Sequence, residues 1–357
     1  MKVALIKDSK VYDNKLLGLT LRERIKKTLE RAGFVVEFFN DGLTLREAES
    51  YLFILEPVLI LERDLRLEGK KALISDNSLF GYLFEGDFRN FFSGDLLSAI
   101  ERYISMNSIE KQEVWAVKVS EENLKKAEKL LLESLVKSEK TGLKPAYYDG
   151  VIARVVNRKI SLRISKFLAG KNVTPNQITV FSFLLSLVAA MLYLINNYLA
   201  TLVAGIIVQI HNILDCSDGE IARLKFMESS YGAWLDGVLD RYADFVIIFS
   251  ITFSLSQLNQ SYWILGFLAA FAALMIAYTG DKFVAAYKTT YKSKGIPITR
   301  DVRLFIIFLG SIFNQLAASL ILIAVLGNAE CLRRIFEIKV LNSETTTSKG
   351  WTTERRA

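Results

Sequence analysis

Four aspartates, Asp215, Asp218, Asp236 and Asp240, interrupt a stretch of the chain that is otherwise strongly apolar. Asp215 and Asp218 are three positions apart and Asp236 and Asp240 four, so on two helices each pair shares a face and all four carboxylates can converge. A carboxylate at helix depth in a bilayer costs about 2.5–3.5 kcal/mol on insertion scales, so four together demand a cation, a partner or a function. An all-oxygen donor set without histidine or cysteine favours Mg²⁺, Mn²⁺ or Ca²⁺ over zinc, and four carboxylates can hold two ions. Mg²⁺ is the usual companion of phosphates. Gly219 and Gly232 allow a ligand close to the backbone, and Arg223 adds a planar cation suited to phosphate oxygens. Taken singly these residues have plainer readings: Asp240 can pair with Arg241, the glycines can be helix ends or packing sites, and intramembrane aspartates also mark ion paths. His211, one turn before Asp215, reads as a hydrogen-bonding residue inside a bundle rather than a metal ligand.

The elements that carry this frame are apolar helices. The chain has 357 residues, 51% hydrophobic, with a mean hydropathy of +0.27, too apolar for an ordinary soluble protein of its size. Dense Lys, Arg and Glu mark residues 1–170, while 176–330 hold long, nearly uncharged runs, so the two halves expect different solvents. Spans are predicted at 176–197, 199–217, 232–256, 262–281, 301–313 and 315–336, the fifth being short. Thr174 and Pro175 suit the N-cap and first turn of the first span. Lys and Arg collect in 218–231, 282–303 and after 332 but are absent from 196–200 and 257–261, which predicts cytoplasmic termini and an aspartate frame at the cytoplasmic ends of spans two and three. Ahead of the spans, residues 150–171 read as a basic amphipathic juxtamembrane helix lying at the interface, with Arg154, Arg158, Lys159, Arg163 and Lys166 mostly on its polar side.

The net charge of +7 is spread over loops near the spans, which suits lipid headgroups and phosphate ligands and argues against a nucleic-acid partner. Cys216 and Cys331 have neither zinc-site spacing nor a readable disulfide pairing. The first residues form too short an apolar run for a cleaved signal, so the first half is expected to stay in the cytoplasm. In that half, strands at Val3–Ile6, Val35–Phe39, Val58–Leu61, Lys71–Ser75 and Val114–Val119 alternate with helices at Thr20–Ala32, Leu45–Phe53, Asp95–Met106 and Glu121–Leu135, an α/β layered domain over 1–137. Residues 138–149 read as a linker, and 338–357, rich in Ser, Thr and charge, as a disordered tail.

Written out, the frame is Asp215-x-x-Asp218-Gly219-x-x-Ala222-Arg223, eight residues, then Gly232-x-x-x-Asp236-x-x-x-Asp240. With Pro175-Asn176-x-x-Thr179 before it, this resembles the signature of the CDP-alcohol phosphotransferase family over roughly residues 150–336. The resemblance implies an integral-membrane enzyme, commonly a homodimer, with six helices around a polar cavity over residues 172–337. It implies transfer of a substituted phosphate from a CDP-alcohol to an acceptor alcohol, with release of CMP. Asp215, Asp218, Asp236 and Asp240 would then be metal ligands, with Asp240 also the general base; Asp218, Gly219, Ala222, Arg223, Gly232, Asn176 and Thr179 would line the nucleotide site. Such chemistry needs a divalent ion, Mg²⁺ or Mn²⁺ and two of them by this reading, to neutralise the leaving group. Lys282, Arg300 and Arg303 are the candidates to bind a phosphate on an inositol phosphate or glycerol phosphate acceptor.

The run from Asn14 to Phe34 is similar to the start of sugar-nucleotidyltransferase domains, and the layout resembles archaeal fusions of an inositol-phosphate cytidylyltransferase with a CDP-alcohol phosphotransferase. The loop Lys7-Asp8-Ser9-Lys10-Val11 lacks the glycines that cradle nucleotide phosphates, so a cytidylyltransferase-like domain without catalysis is expected. A bifunctional enzyme with an active first domain, and a divalent-metal transporter, are the competing readings.

Overall fold

The computed structural model describes residues 1–40, 45–61, 65, 69–75, 78–92, 94–114, 116–136, 152–288 and 298–353, with side chains through residue 339. The linker expected at 138–149, and Lys292 and Lys294 of the basic loop, lie outside the described residues. The chain divides into two compact units, one built on Met1–Pro145 and one on the helices that follow.

The first unit is an α/β layer. Six strands, β1 (Lys2–Lys7), β4 (Phe34–Phe39), β5 (Ser50–Ile54), β7 (Lys71–Ser75), β8 (Ser78–Glu85) and β9 (Glu110–Glu113), form a sheet in the order β4-β1-β5-β8-β7-β9. β1 runs parallel to β4 and β5, β8 is antiparallel to β5 and β7, and β9 is parallel to β7. The short strands β2 (Lys15–Leu16) and β3 (Leu19–Thr20) pair with each other, as do β6 (Val58–Ile60) and β10 (Ala116–Lys118). Helix α1 (Leu21–Arg31) opens on a capping box in which Thr20 and Glu23 satisfy each other's backbone N–H groups. Helices α2 (Leu96–Met106) and α3 (Leu124–Val136) follow, α2 capped by Asp95. Val3, Leu5, Tyr51, Phe53, Phe84, Phe88 and Tyr103 form its aromatic-rich core.

Two local expectations fail here. Leu45–Phe53 is not a helix: its second half is the central strand β5, where Tyr51, Leu52, Phe53 and Ile54 are all fully buried. A strand covered on both faces is a continuous apolar run, so period-two alternation is absent and Leu45 and Ala48 complete a false helical spacing. The expected strand Val114–Val119 is replaced by β9 just before it and β10 within it.

The β1–α1 loop closes on its own side chains. Asp8 and Asp13 both pair with Arg22, at 2.6 and 3.2 Å, and the Arg22 guanidinium lies over the Phe38 ring. The Ser9 hydroxyl caps a single turn over Lys10–Asp13 by accepting from the Val11 N–H.

The second unit is helical: α4 (Arg158–Ala169), entered through a wider π-helical turn at Ala153–Asn157, then α5 (Pro175–Tyr193), α6 (Tyr198–Lys225), α7 (Ser230–Ser256), α8 (Tyr262–Tyr287), α9 (Arg300–Ile312) and α10 (Leu316–Thr353). Thr174 caps α5 with Gln177 in a capping box and Pro175 in the first turn, as its sequence predicts. Residues from α5 through α10 meet in one apolar core that includes Tyr193, Val208, Ile247, Ile251, Ala269, Ile307, Leu320 and Ile323. Close approach is glycine-dependent at Gly266, where a Cβ would fall 2.1 Å from the Thr252 hydroxyl of α7.

Among the described residues, four helices are long and apolar enough to cross a membrane: Pro175–Tyr193, Tyr198–Lys225, Tyr262–Tyr287 and Leu316–Lys339. The two predicted spans outside this group fall short for physical reasons. α9 has 13 residues, and every 18-residue window of α7 contains Asp240, Arg241 and Asp244. α10 runs on to Thr353, into the region 338–357 read from the sequence as a tail.

Candidate active site at the α6–α7 carboxylates

α6 supplies Asp215 and Asp218 and α7 supplies Asp236 and Asp240, each pair on one helix face. The structure brings three of them together: carboxylate oxygens of Asp215, Asp236 and Asp240 all lie within 4.8 Å of one another. Asp218 is not one of these three but lies close enough to Asp215 and Asp236 to feel their charges. Its Oδ2 accepts from the Thr179 hydroxyl of α5 at 2.5 Å and its Oδ1 from the Gly219 N–H at 2.5 Å. One of its two hydrogen bonds thus ties Asp218 to α5, which the three-residue spacing alone does not reveal.

The nucleotide-site candidates fall around this same corner. Thr179 of α5 touches Asp218, and Gly219 lies against Arg223, whose guanidinium would be 3.4 Å from a Cβ at that position. Ala222 is half-buried on the next turn of α6. Gly232 is enclosed from two sides: a Cβ there would sit 3.0 Å from the Ser229 hydroxyl that caps α7 and 3.1 Å from the Asn176 amide oxygen. Helices α5, α6 and α7 therefore converge their expected nucleotide-lining residues.

The acceptor candidates do not form a set. Lys282 is exposed on α8 with its ammonium over the Tyr278 ring. Arg303 is buried, donating to Asp244 at 2.6 Å and to the Ile298 carbonyl at 3.2 Å, so it is removed from the acceptor group: a buried guanidinium spent on a carboxylate and a carbonyl is not presented to a ligand. Arg300 is inside the aspartate cluster itself. Its Nη1 donates to Asp215 at 2.5 Å and lies 3.0 Å from Asp240, and its Nε donates to Asp244 at 3.2 Å. Arg241, the alternative partner of Asp240, is 3.8 Å away.

Two features escaped the spacing argument. Asp244 extends the series Asp236, Asp240 by one more turn, a signal present in the sequence and absorbed there as part of an apolar span. Glu220 is fully buried two residues beyond Asp218 and accepts from Arg158, Ser161 and Ser165, three residues on one face of α4. Arg158 thus belongs to the buried face of that helix, not to its polar side. His211 bonds within the bundle, to Arg300 on one side and Ser182 on the other.

Comparison with known proteins bears on both units. Residues 1–135 match a family model described as CDP-alcohol phosphatidyltransferase-like, N-terminal, and residues 172–329 match CDP-alcohol phosphatidyltransferase. The bifunctional IPC transferase and DIPP synthase of Aquifex aeolicus is 33% identical over 221 residues, covering 60% of this chain and 48% of that protein. The chain spans about half the length of the bifunctional relatives it matches. Among solved structures, a Mycobacterium tuberculosis phosphatidylinositol phosphate synthase with CDP-DAG bound aligns with a TM-score of 0.44 at 21% identity, over 50% of this chain and 92% of that one. The archaetidylinositol phosphate synthase of Pyrococcus horikoshii is 34% identical over 177 residues, 50% of this chain and 89% of the relative. With the complete aspartate frame on α6 and α7, and nearly the whole of that relative covered, the chain belongs to the CDP-alcohol phosphatidyltransferase family.

Proposed function

We propose that this chain is an integral-membrane enzyme that transfers a substituted phosphate from a CDP-alcohol to an acceptor alcohol and releases CMP. The observation that carries the reading is the meeting of Asp215, Asp236 and Asp240 from two helices within 4.8 Å. The donor set fits a hard divalent cation, Mg²⁺ or Mn²⁺: it is all oxygen, and the buried Oδ1 of Asp236 has no hydrogen-bond partner among the described residues. Asp215, Asp236 and Asp240 would hold one ion, and Asp218 is the carboxylate left to serve a second. When bound, the metal would polarise the diphosphate and neutralise charge on departing CMP.

The remaining work falls to this chain's side chains. Asp240 takes the proton of the acceptor hydroxyl. Asn176, Thr179, Asp218, Gly219, Ala222, Arg223 and Gly232 hold the CMP portion, with Arg223 offering the fixed cation for phosphate oxygens. Lys282 is the exposed cation retained for a phosphorylated polyol acceptor. An inositol phosphate acceptor is favoured over glycerol phosphate by the Pyrococcus relative's name, archaetidylinositol phosphate synthase. All six helices α5–α10 are proposed as spans, with both termini and the site facing the cytoplasm, in a homodimer. In α7 the charges stop at Asp244, leaving Phe245–Ser256 uncharged.

The first unit is proposed as a cytidylyltransferase-like domain without catalysis. The run Lys7–Val11 at the end of β1 has no glycine to cradle phosphates, and Arg22 is engaged by Asp8 and Asp13.

Purified protein in detergent, offered a panel of CDP-alcohols and phosphorylated polyols, should release CMP only with Mg²⁺ or Mn²⁺ and the matching acceptor. If no CDP-alcohol is cleaved while the protein in liposomes passes divalent metal, the enzyme reading is wrong. Formation of a CDP-alcohol from CTP would overturn the reading of the first unit.

A further inference from the structure

Arg300 is gripped by groups from two other helices. Its Nη1 faces Asp215 of α6 and Asp240 of α7, its Nε donates to Asp244 of α7, and its Nη2 lies 2.8 Å from Nε2 of His211 on α6. A guanidinium has only donors, so Nε2 of His211 must accept. On the other side of the ring, Nδ1 is 2.9 Å from the backbone carbonyl of Ser182, which only accepts, so Nδ1 must carry the hydrogen. The Ser182 hydroxyl, 2.7 Å from Nδ1, donates onward to the His211 carbonyl at 3.2 Å. Hydrogen bonding alone therefore selects the neutral Nδ1–H tautomer of His211. Asp244 is fixed in turn by Arg303, itself anchored on the Ile298 carbonyl. His211, Asp244, Arg303 and Ser182 are all buried.

An arginine side chain free to choose rotamers cannot define the spacing of two carboxylates on different helices. With Nε and Nη2 both committed, Nη1 is left one direction, toward Asp215 and Asp240. We propose that His211 and Asp244 are positioning residues, which hold Arg300 as the fixed cation between Asp215 and Asp240 and so keep Asp240 aimed at the acceptor hydroxyl. The catalytic half of this inference rests on the proposed function; the tautomer half does not. Misplacing a base by a fraction of its reach slows the chemical step and leaves binding of remote substrate parts intact.

His211 is the only histidine in the 357-residue sequence, so ¹⁵N-histidine labelling of this chain, tag-free and in detergent, reads this one ring. The expected spectrum is a neutral imidazole with its hydrogen on Nδ1, and Asp244→Asn should perturb the Nε2 signal through Arg300. In the CMP-release assay His211→Leu should lower kcat by about 10–100-fold, the usual cost of losing a group that orients a catalytic one, with KM for the CDP-alcohol nearly unchanged. His211→Gln, whose amide oxygen can accept from Arg300, should restore most of that loss. Asp244→Asn should lower kcat in the same direction. An imidazole protonated on Nε2, or equal kcat in the Leu and Gln variants, overturns the inference. A wild-type protein that cleaves no CDP-alcohol sinks the proposed function instead, and the ¹⁵N spectrum then decides the positioning geometry by itself.

Discussion

Arg22 bridges two aspartates and Arg300 three, in opposite surroundings. In the α/β unit, the Arg22 side chain is 32% exposed and its partners Asp8 and Asp13 are 27% and 69% exposed. In the helical unit, the Arg300 side chain is 13% exposed and its partners Asp215 and Asp240 are 21% and 15% exposed. Water screens the first group, so its pairing is worth about 0.2–1 kcal/mol per bridge. The second group has lost most of its hydration, so each unpaired carboxylate there carries a desolvation cost that a neighbour must offset. The two clusters also differ in balance. Arg22 closes a loop in which Ser9 and Val11 are already hydrogen-bonded, whereas the α6–α7 cluster keeps a surplus of carboxylate and an Asp236 oxygen with no partner among the described residues. A buried surplus of negative charge asks for a divalent cation; a screened one does not.

Substitutions on the two sides should separate accordingly. The largest effect is expected at Asp240→Asn, which should cut CMP release by about 10²–10⁴-fold while nucleotide binding, followed by calorimetry, persists. Turnover retained by that variant would remove Asp240 as the base. Chelation with EDTA, or Asp236→Asn, should next abolish tight Mn²⁺ binding in titrations read by electron paramagnetic resonance, and undiminished binding would show that the cluster's surplus charge is not a metal site. Arg158→Ala strips the counter-charge from fully buried Glu220 and should destabilise the helical unit by about 3–5 kcal/mol, measured as an earlier midpoint of unfolding in mixed detergent. The smallest effect belongs to Arg22→Ala. It should cost no more than about 1 kcal/mol per broken bridge and leave CMP release unchanged; a large loss of turnover would mean that the first unit takes part in the reaction and that the two arginines do not differ in this way.

Much of this was written in local sequence. Thr174, Pro175 and Gln177 announce the start of α5 because capping satisfies backbone donors within four residues. The capped starts of α1 and α2 are legible in the same way. β5 is not, since burial on both faces erases the alternation that marks a strand. In the site, the i+3 and i+4 spacings place Asp215 with Asp218 and Asp236 with Asp240 on single helix faces. Nothing in those spacings separates Asp218, which turns to Thr179, from the other three. Arg300 looks like one more cation in a basic loop until its partners on α6 and α7 are seen.

Residue type and helical period by themselves determined that four carboxylates would crowd two apolar helices, an all-oxygen set suited to a hard cation. Which three carboxylates meet, and that Arg300, His211 and Asp244 stand behind them, only the tertiary structure decided. The physical reason is that periodicity orients a side chain about its own helix axis, whereas the identity of the opposing group depends on how separate helices pack. Arg300 and Asp244 are 56 residues apart in the chain and 3.2 Å apart in the bundle.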